Sequence, residues 1–307
     1  MKRFAFVADV PGWAFDRTGR ALARYSKEPG WDVLYVNPYT IPTDGFAQYA
    51  AVRVGGVPLF MDLVKRGLVN ERKFFPTIAS FVDMEWHGKA LATQRSNIAA
   101  VIINDQRFRP DALALDRPVI YTPDKVDSYI FRPDPKVRQP GRVRVGWAGS
   151  EKWWGDAKRV ADLRAIVERV GGRFILQDRE QHGAKTAVEM ACWLNNEVDI
   201  YATANIERTC TPVTVIEAIA CCCPVVTTRC GELDGLLSPH VLCSTLEQLE
   251  QTLKVFVTQP EAFAALQAEA VALLPRWYRF LTWEGSNEAQ NTTAAMVALM
   301  KALGGVE

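Results

Sequence analysis

Short apolar runs alternate along the chain with longer segments whose apolar residues recur at helical spacing. Parallel strands covered by helices on both faces read this way, because both sides of each strand are buried. In the first half, Phe4–Ala8, Val33–Val36, Thr77–Val82, Ala99–Ile103 and Val119–Tyr121 are the expected strands, and Phe15–Tyr25 is an expected helix. Asp9-Val10-Pro11-Gly12-Trp13 interrupts the chain after the first strand, and Pro38–Pro58, rich in Pro and Gly, reads as loop.

Pro123, Pro133, Pro135 and Pro140 then fall close together among charged residues without a usable period, which marks a linker. A second series of strands follows at Val143–Trp147, Arg173–Leu176, Val198–Tyr201, Val225–Thr227 and Val241–Leu242. A helix between Trp154 and Val170 is expected to turn Ala157, Val160, Ala161, Val167 and Val170 to its sheet. From Glu247 onward the pattern is mostly helical. The expected organisation is α/β: a Rossmann-like domain over 1–139, a second over 140–275, and a helical segment over 276–307 that returns toward the first. Two doubly wound parallel-sheet domains in series would face each other across a cleft. Ligands in such sheets bind at the carboxyl ends of the strands, near the point where strand order reverses.

Composition narrows the class. The chain has 307 residues, enough for two α/β domains, with 49% hydrophobic and 23% charged residues. No apolar run approaches the ~20 residues of a membrane span, and the run before Asp9 is too short for a signal peptide. A cytoplasmic protein without stable membrane insertion is the expectation. Seven cysteines, all in the second half, make an odd set without paired CxxC spacing. Buried thiols are expected in preference to disulfides or a metal site. Residues 1–139 carry 20 basic against 15 acidic residues, and the remainder 16 against 20. A mildly basic first half would suit an acidic acceptor.

The segment from Val198 to Val226 is the most informative. It reads strand, loop, helix, strand, with Thr209 or Thr211 expected to cap the helix and Pro212 in its first turn. A helix N-terminus offers free amides and partial positive charge to a diphosphate. Glu217, just past the first turn, either accepts from ribose hydroxyls or is a solvated helix residue.

Glu217-Ala218-Ile219-Ala220-Cys221, with Pro224-Val225-Val226, resembles the donor-binding motif of family-4-like glycosyltransferases of the GT-B fold. There a Glu-Gly-x-Pro precedes a second Glu, which binds the donor ribose; the resemblance gives that role to Glu217. Thr209 stands where the first Glu is expected, Cys210 at the Gly after it, and Cys222 at the later Gly; Glu207 is the candidate substitute for the first Glu. Lys125-Val126-Asp127-Ser128-Tyr129-Ile130-Phe131-Arg132-Pro133 resembles the stretch leading into the second domain of such enzymes. Val143–Ser150 resembles the strand and loop that supply an Arg and a Lys to the diphosphate, with Gly149 in the loop and Ser150 at the Arg position. Lys158 is the preferred cation and Lys152 the second. Gly12 lies in the first-domain loop that approaches the phosphates in such enzymes. Asp83 occupies the position of a sugar-facing His at a strand end, with His87 four residues on; Asp83 is the expected base and His87 the alternative.

The resemblance implies a GT-B enzyme, a hexosyl- or pentosyltransferase, using a nucleotide sugar, with a UDP-sugar as the expected donor. The Asp-x-Asp metal motif is absent, which fits metal-independent transfer without a cofactor. The acceptor is open between a glycan, a lipid-linked sugar and modified DNA, the last implying a bacteriophage-type enzyme in host cytoplasm that glycosylates a hydroxylated base. A non-catalytic binding protein with the same fold stays open because of Thr209 and Cys222. The Trp277–Trp283 aromatics are expected to pack at the domain junction.

Overall fold

The computed structural model describes residues 3–12, 14–26, 30–134, 141–152, 155–183, 185–207 and 209–304. Trp13, Pro135, Pro140 and Trp154 lie outside them, as does the Trp277 side chain. The chain divides into two compact units, one of residues 1–124 with 286–307, the other of 125–285.

The first unit holds six parallel strands: β1 (Phe4–Ala8), β2 (Trp31–Tyr35), β3 (Ala51–Val54), β4 (Phe74–Ile78), β5 (Val101–Ile103) and β6 (Val119–Tyr121), in spatial order β2-β1-β3-β4-β5-β6. All five β1 residues are buried, as a strand covered on both faces requires. Strand order reverses at β1, so the switch point lies between β1 and β3. Helix Ala14–Tyr25 packs on β1 and β2, and Glu288–Ala302 covers β6. Gly55, just after β3, permits the approach of Phe15, because an added Cβ would stand 2.6 Å from its ring.

The second unit is a five-stranded parallel sheet: β7 (Arg144–Gly149), β8 (Arg173–Asp178), β9 (Ile200–Thr203), β10 (Val225–Thr228) and β11 (Leu242–Cys243), in order β11-β10-β9-β7-β8. One apolar cluster, centred on Trp193, Tyr201 and Val215, packs helices Ala187–Asn196 and Val213–Ala220 on one face. Another, centred on Trp147, Leu163, Leu249 and Leu253, packs Val160–Arg169 and Leu246–Thr258 on the other. The switch point here lies between β7 and β9.

Several expectations need correction. β3 lies inside the segment read as loop, where Arg53 interrupts its short apolar run. The expected strand Thr77–Val82 is cut at Ile78, because Ser80 caps a helix beginning at Phe81. The expected helix between Trp154 and Val170 is two helices, Gly155–Lys158 and Val160–Arg169, broken at Arg159 in the left-handed region (φ 48°). Leu163 and Ile166 join the buried face of the second, while Ala161 is exposed.

The first unit ends at Asp124 instead of 139, because Val126 and Phe131 are buried in the second unit's core. Residues 276–285 also stay with the second unit: Val126 N donates to Leu281 O at 2.8 Å, and Trp283 N to Val126 O at 3.1 Å. Of the aromatics there, Trp283 is buried, whereas Tyr278 and Phe280 are exposed.

Candidate functional site

The second unit gathers its chemistry at the carboxyl ends of β7, β9 and β10. β7 ends on Gly149, with φ +159°, where an added Cβ would stand 2.8 Å from the Trp147 ring and 3.4 Å from Lys158 Nζ. Lys158 closes the short helix that follows, and its ammonium lies over Trp147, 5.8 Å from the ring centroid. Burial pushes the Lys158 amine below the ordinary lysine range; nearby Cys210, Glu180 and Asp178 oppose that shift, and Arg179 adds to it. Lys158 makes no hydrogen bond or ion pair with the described residues.

The loop after β9 is tied to the same place. Ile206 N donates to Ala157 O at 2.9 Å, directly before Lys158. The 209–212 stretch then packs on the loop after β10, where Gly231 (φ +59°) leaves no room for a Cβ, which would stand 2.1 Å from Thr211 Oγ1. Gly231 N donates to Thr209 O at 3.0 Å, and Glu232 N to Thr211 Oγ1 at 2.8 Å.

These bonds correct the expected cap. Thr211 Oγ1 is taken by Glu232 N, and Thr209 Oγ1 donates to Ile206 O at 2.9 Å. The N-cap of helix Val213–Ala220 is Pro212 itself, with no side-chain cap; Val215 N donates to Pro212 O at 2.9 Å, which leaves the Val213 and Thr214 amides as the uncapped ones of the first turn. Glu217, on that helix, is 1% exposed and is not a solvated residue. Its carboxylate acts on Tyr201, whose hydroxyl is pushed up by burial and by that negative charge. Tyr201 shares a 2.6 Å hydrogen bond with Thr214 Oγ1.

Ser150 donates from Oγ to Glu180 Oε1 at 2.8 Å. Arg179, just past β8, also meets Glu180, with Nη2 at 3.2 Å, and stands close enough to influence Lys158. Sequence reasoning missed Arg179 and Gly231. The signals for both were modest: a charged triplet at the end of a strand, and a glycine three residues past the end of another. Lys152 and Glu207 are exposed. The structure thus brings together Gly149, Ser150, Lys158, Thr209, Thr211, Pro212 and Glu217.

Cys222 stands where the resemblance expects glycine. Its φ of 53° is left-handed, and the Schellman bonds are made, from Cys223 N to Ala218 O (2.9 Å) and Cys222 N to Ile219 O (3.0 Å). Cys221, Cys223, Cys230 and Cys243 are buried, and none of the seven cysteines, all among the described residues, is in a disulfide. Among the described residues no group of three or more His, Cys, Asp or Glu is disposed to hold a metal ion.

In the first unit, Gly12 N donates to Asp16 Oδ2 at 2.7 Å. Asp16 is 3% exposed and also receives Tyr35 OH (2.7 Å) and Arg20 Nε (2.8 Å), which fixes the turn after β1. Burial and Asp16 push the Tyr35 hydroxyl up to about 12. Asp83 is at the third position of helix Phe81–Thr93, not at a strand end. Its Oδ2 accepts from Ala79 N (3.0 Å) and Ser80 N (3.1 Å), while Ser80 Oγ accepts from Asp83 N, a capping box. Burial raises its carboxyl, and those hydrogen bonds and His87, one turn on, work against the rise.

No family model and no curated protein matches the sequence. Solved structures do match its fold. A sucrose-phosphate synthase from Thermosynechococcus elongatus is 14% identical and superimposes with a TM-score of 0.72, covering 98% of this chain and all of its own. Anabaena HepE in complex with UDP-glucose is 12% identical with a TM-score of 0.62, covering 97% and 100%. T4 phage BGT in complex with UDP and Mn2+ is 11% identical with a TM-score of 0.56, covering 97% and 99%. The chain has the GT-B fold, α/β with two parallel sheets.

Proposed function

We propose that the chain is a glycosyltransferase that moves a hexosyl or pentosyl group from a nucleotide sugar, a UDP-sugar first among them, to an acceptor hydroxyl. The observation that carries this reading is the grouping of Lys158, the uncapped N-terminus of helix Val213–Ala220 and the buried Glu217 in one unit of a GT-B fold. The UDP and UDP-glucose held by HepE, and the UDP held by T4 phage BGT, support a uridine nucleotide as donor.

Glycosyl transfer passes through an oxocarbenium-like state while negative charge grows on the departing diphosphate. The Lys158 ammonium, half-buried beside Trp147, supplies a fixed charge for it, and the amides of Val213 and Thr214 supply oriented dipoles. Glu217 accepts from the ribose hydroxyls, and Arg179 joins Lys158 as a second cation in place of the arginine that Ser150 replaces. Neutralisation by these groups needs no metal ion. In the first unit, Asp83 is the proposed base for the acceptor hydroxyl: its raised proton affinity makes it the stronger base, and with Oδ2 held by two amides the proton goes to Oδ1. His87 is the alternative.

The test is release of nucleoside diphosphate from a panel of nucleotide sugars, with glycan, lipid-linked sugar and hydroxylated-base duplex DNA as acceptors, in EDTA and in Mn2+. Turnover that persists in EDTA supports the reading. Donor binding without transfer to any acceptor returns the chain to a binding role.

A further inference from the structure

β8 is the outermost strand of the second sheet and pairs only with β7. Arg173 N donates to Val143 O at 2.8 Å, so Arg173 and every second residue after it turn their backbone groups toward β7. Phe174 and Leu176, between them, turn theirs to the open edge, where no strand among the described residues pairs with them.

A cleft of about 460 Å³ lies along this edge, with half-buried Phe174 and Leu176 as its apolar part. Three guanidiniums stand around it, those of Arg142, Arg164 and Arg173, against one carboxylate, Glu168. Arg142 and Arg173 are exposed, and their side chains make no hydrogen bond or ion pair with the described residues. Arg164 lies over the Phe174 ring, 5.5 Å from its centroid, and meets Glu151 Oε1 only at 3.5 Å. Charge at a sheet edge guards it against a second copy, because pairing two β8 edges would bring both sets of arginines together. The same charge draws a partner of opposite sign.

We propose that this edge is a docking site for an extended acidic peptide, which joins the sheet as a strand beside β8. Its backbone meets the N–H and C=O groups of Phe174 and Leu176, as in other cases of strand addition. Its carboxylates meet Arg142, Arg164 and Arg173, whose planar forks match a carboxylate with two hydrogen bonds. Apolar side chains between the acids cover Phe174 and Leu176. A nucleic acid or a phosphorylated metabolite satisfies the guanidiniums but has no alternating donors and acceptors for the strand edge. A second copy brings the right backbone with the wrong charge. The cleft starts at the amino end of β8, whereas Lys158 and Glu217 belong to the carboxyl ends of the strands, so docking here stands apart from donor binding.

The experiment uses the whole 15N-labelled chain and a peptide of alternating glutamate and valine, matched in length to β8. A lysine–valine peptide and a single-stranded oligonucleotide of equal negative charge are titrated beside it. At low salt the acidic peptide is expected to bind and the lysine peptide not to. Hydrogen exchange at the Phe174 and Leu176 amides is expected to slow by about tenfold or more, with Arg173 and Ile175 unchanged. Arg142→Ser combined with Arg173→Ser, both exposed, is expected to weaken binding by about tenfold and to keep the melting temperature. Binding that leaves the Phe174 and Leu176 amides exchanging as before overturns strand addition and leaves a cationic patch. Tighter binding by the oligonucleotide, lost in the double variant, overturns it in favour of a nucleic-acid surface. A dimer in sedimentation that protects the same two amides without peptide overturns it in favour of a second copy. Absence of acidic-peptide binding at low salt overturns it outright.

Discussion

The Lys158 ammonium rests 5.8 Å above the Trp147 ring, and Gly149, two residues on from Trp147, leaves both the room to meet. A strand residue thus provides the floor for a cation carried by the next helix. The aromatic face offsets part of the cost of burying the charge. What remains of that cost shows as the lowered proton affinity of the amine, and a bound diphosphate would relieve it.

Lys158→Met is therefore expected to separate stability from binding. The unfolded chain holds the lysine proton up to its ordinary value of 10.5, while the folded chain releases it earlier. Over that interval the unfolded state binds more protons, so stability rises with pH. Lys158→Met removes this rise and leaves the melting temperature at neutral pH equal or higher. UDP affinity falls by roughly ten- to a hundredfold, the loss expected for a charge-assisted contact. In the unsubstituted protein UDP affinity weakens as pH climbs through the lowered lysine value. Melting curves and calorimetry across alkaline pH check both; a large loss of neutral-pH stability without loss of UDP affinity would make Lys158 a packing residue.

Glu217→Gln keeps the shape of a side chain that is 1% exposed and removes its charge. Nucleotide affinity is expected to fall about tenfold, the effect of losing a charged acceptor, with the fold intact by circular dichroism. Unchanged UDP affinity would remove the ribose role.

Asp83 carries two roles that different substitutions pull apart. Asp83→Asn keeps an oxygen for the Ala79 and Ser80 amides, so stability should change by less than about 1 kcal/mol, whereas Asp83→Ala costs about 1 kcal/mol as a lost cap. Both are expected to lose turnover while keeping donor binding. If Asp83→Asn turns over normally, the carboxylate is a cap and nothing more.

The parts of the fold legible from sequence were those in which a strand is apolar on both faces. Phe4–Ala8 and Val119–Tyr121 coincide with β1 and β6 to the residue. β3 was hidden because its third residue is Arg53, a charge in the middle of a buried strand amid Pro- and Gly-rich sequence. The residue that concealed the strand also has its Nε and Nη1 buried without a hydrogen-bond partner. In the second unit, Glu217 and Lys158 could be singled out from motif spacing, but Arg179 and Gly231 are brought to the same place only by the tertiary packing of strand ends. Asp83 shows the opposite failure: Phe81 and Val82 continue an apolar run that Ser80 has already turned into a helix.

Cys222→Gly should stabilise the chain. Cys222 holds φ 53° at the end of helix Val213–Ala220, a conformation that costs an ordinary residue about 1 kcal/mol more than glycine. A rise in melting temperature of a few degrees with unchanged UDP affinity is expected. A fall would mean that the Cys222 side chain contributes packing that outweighs its backbone strain.

The most direct measurement is calorimetric titration of the whole chain with UDP and a panel of nucleotide sugars, in parallel with Lys158→Met and Glu217→Gln. The account predicts one nucleotide-sugar class that binds the unsubstituted chain, with affinity lost in both variants and their melting curves preserved. Absence of binding by every nucleotide, or equal binding by all three proteins, would contradict a donor site at the ends of β7 and β9.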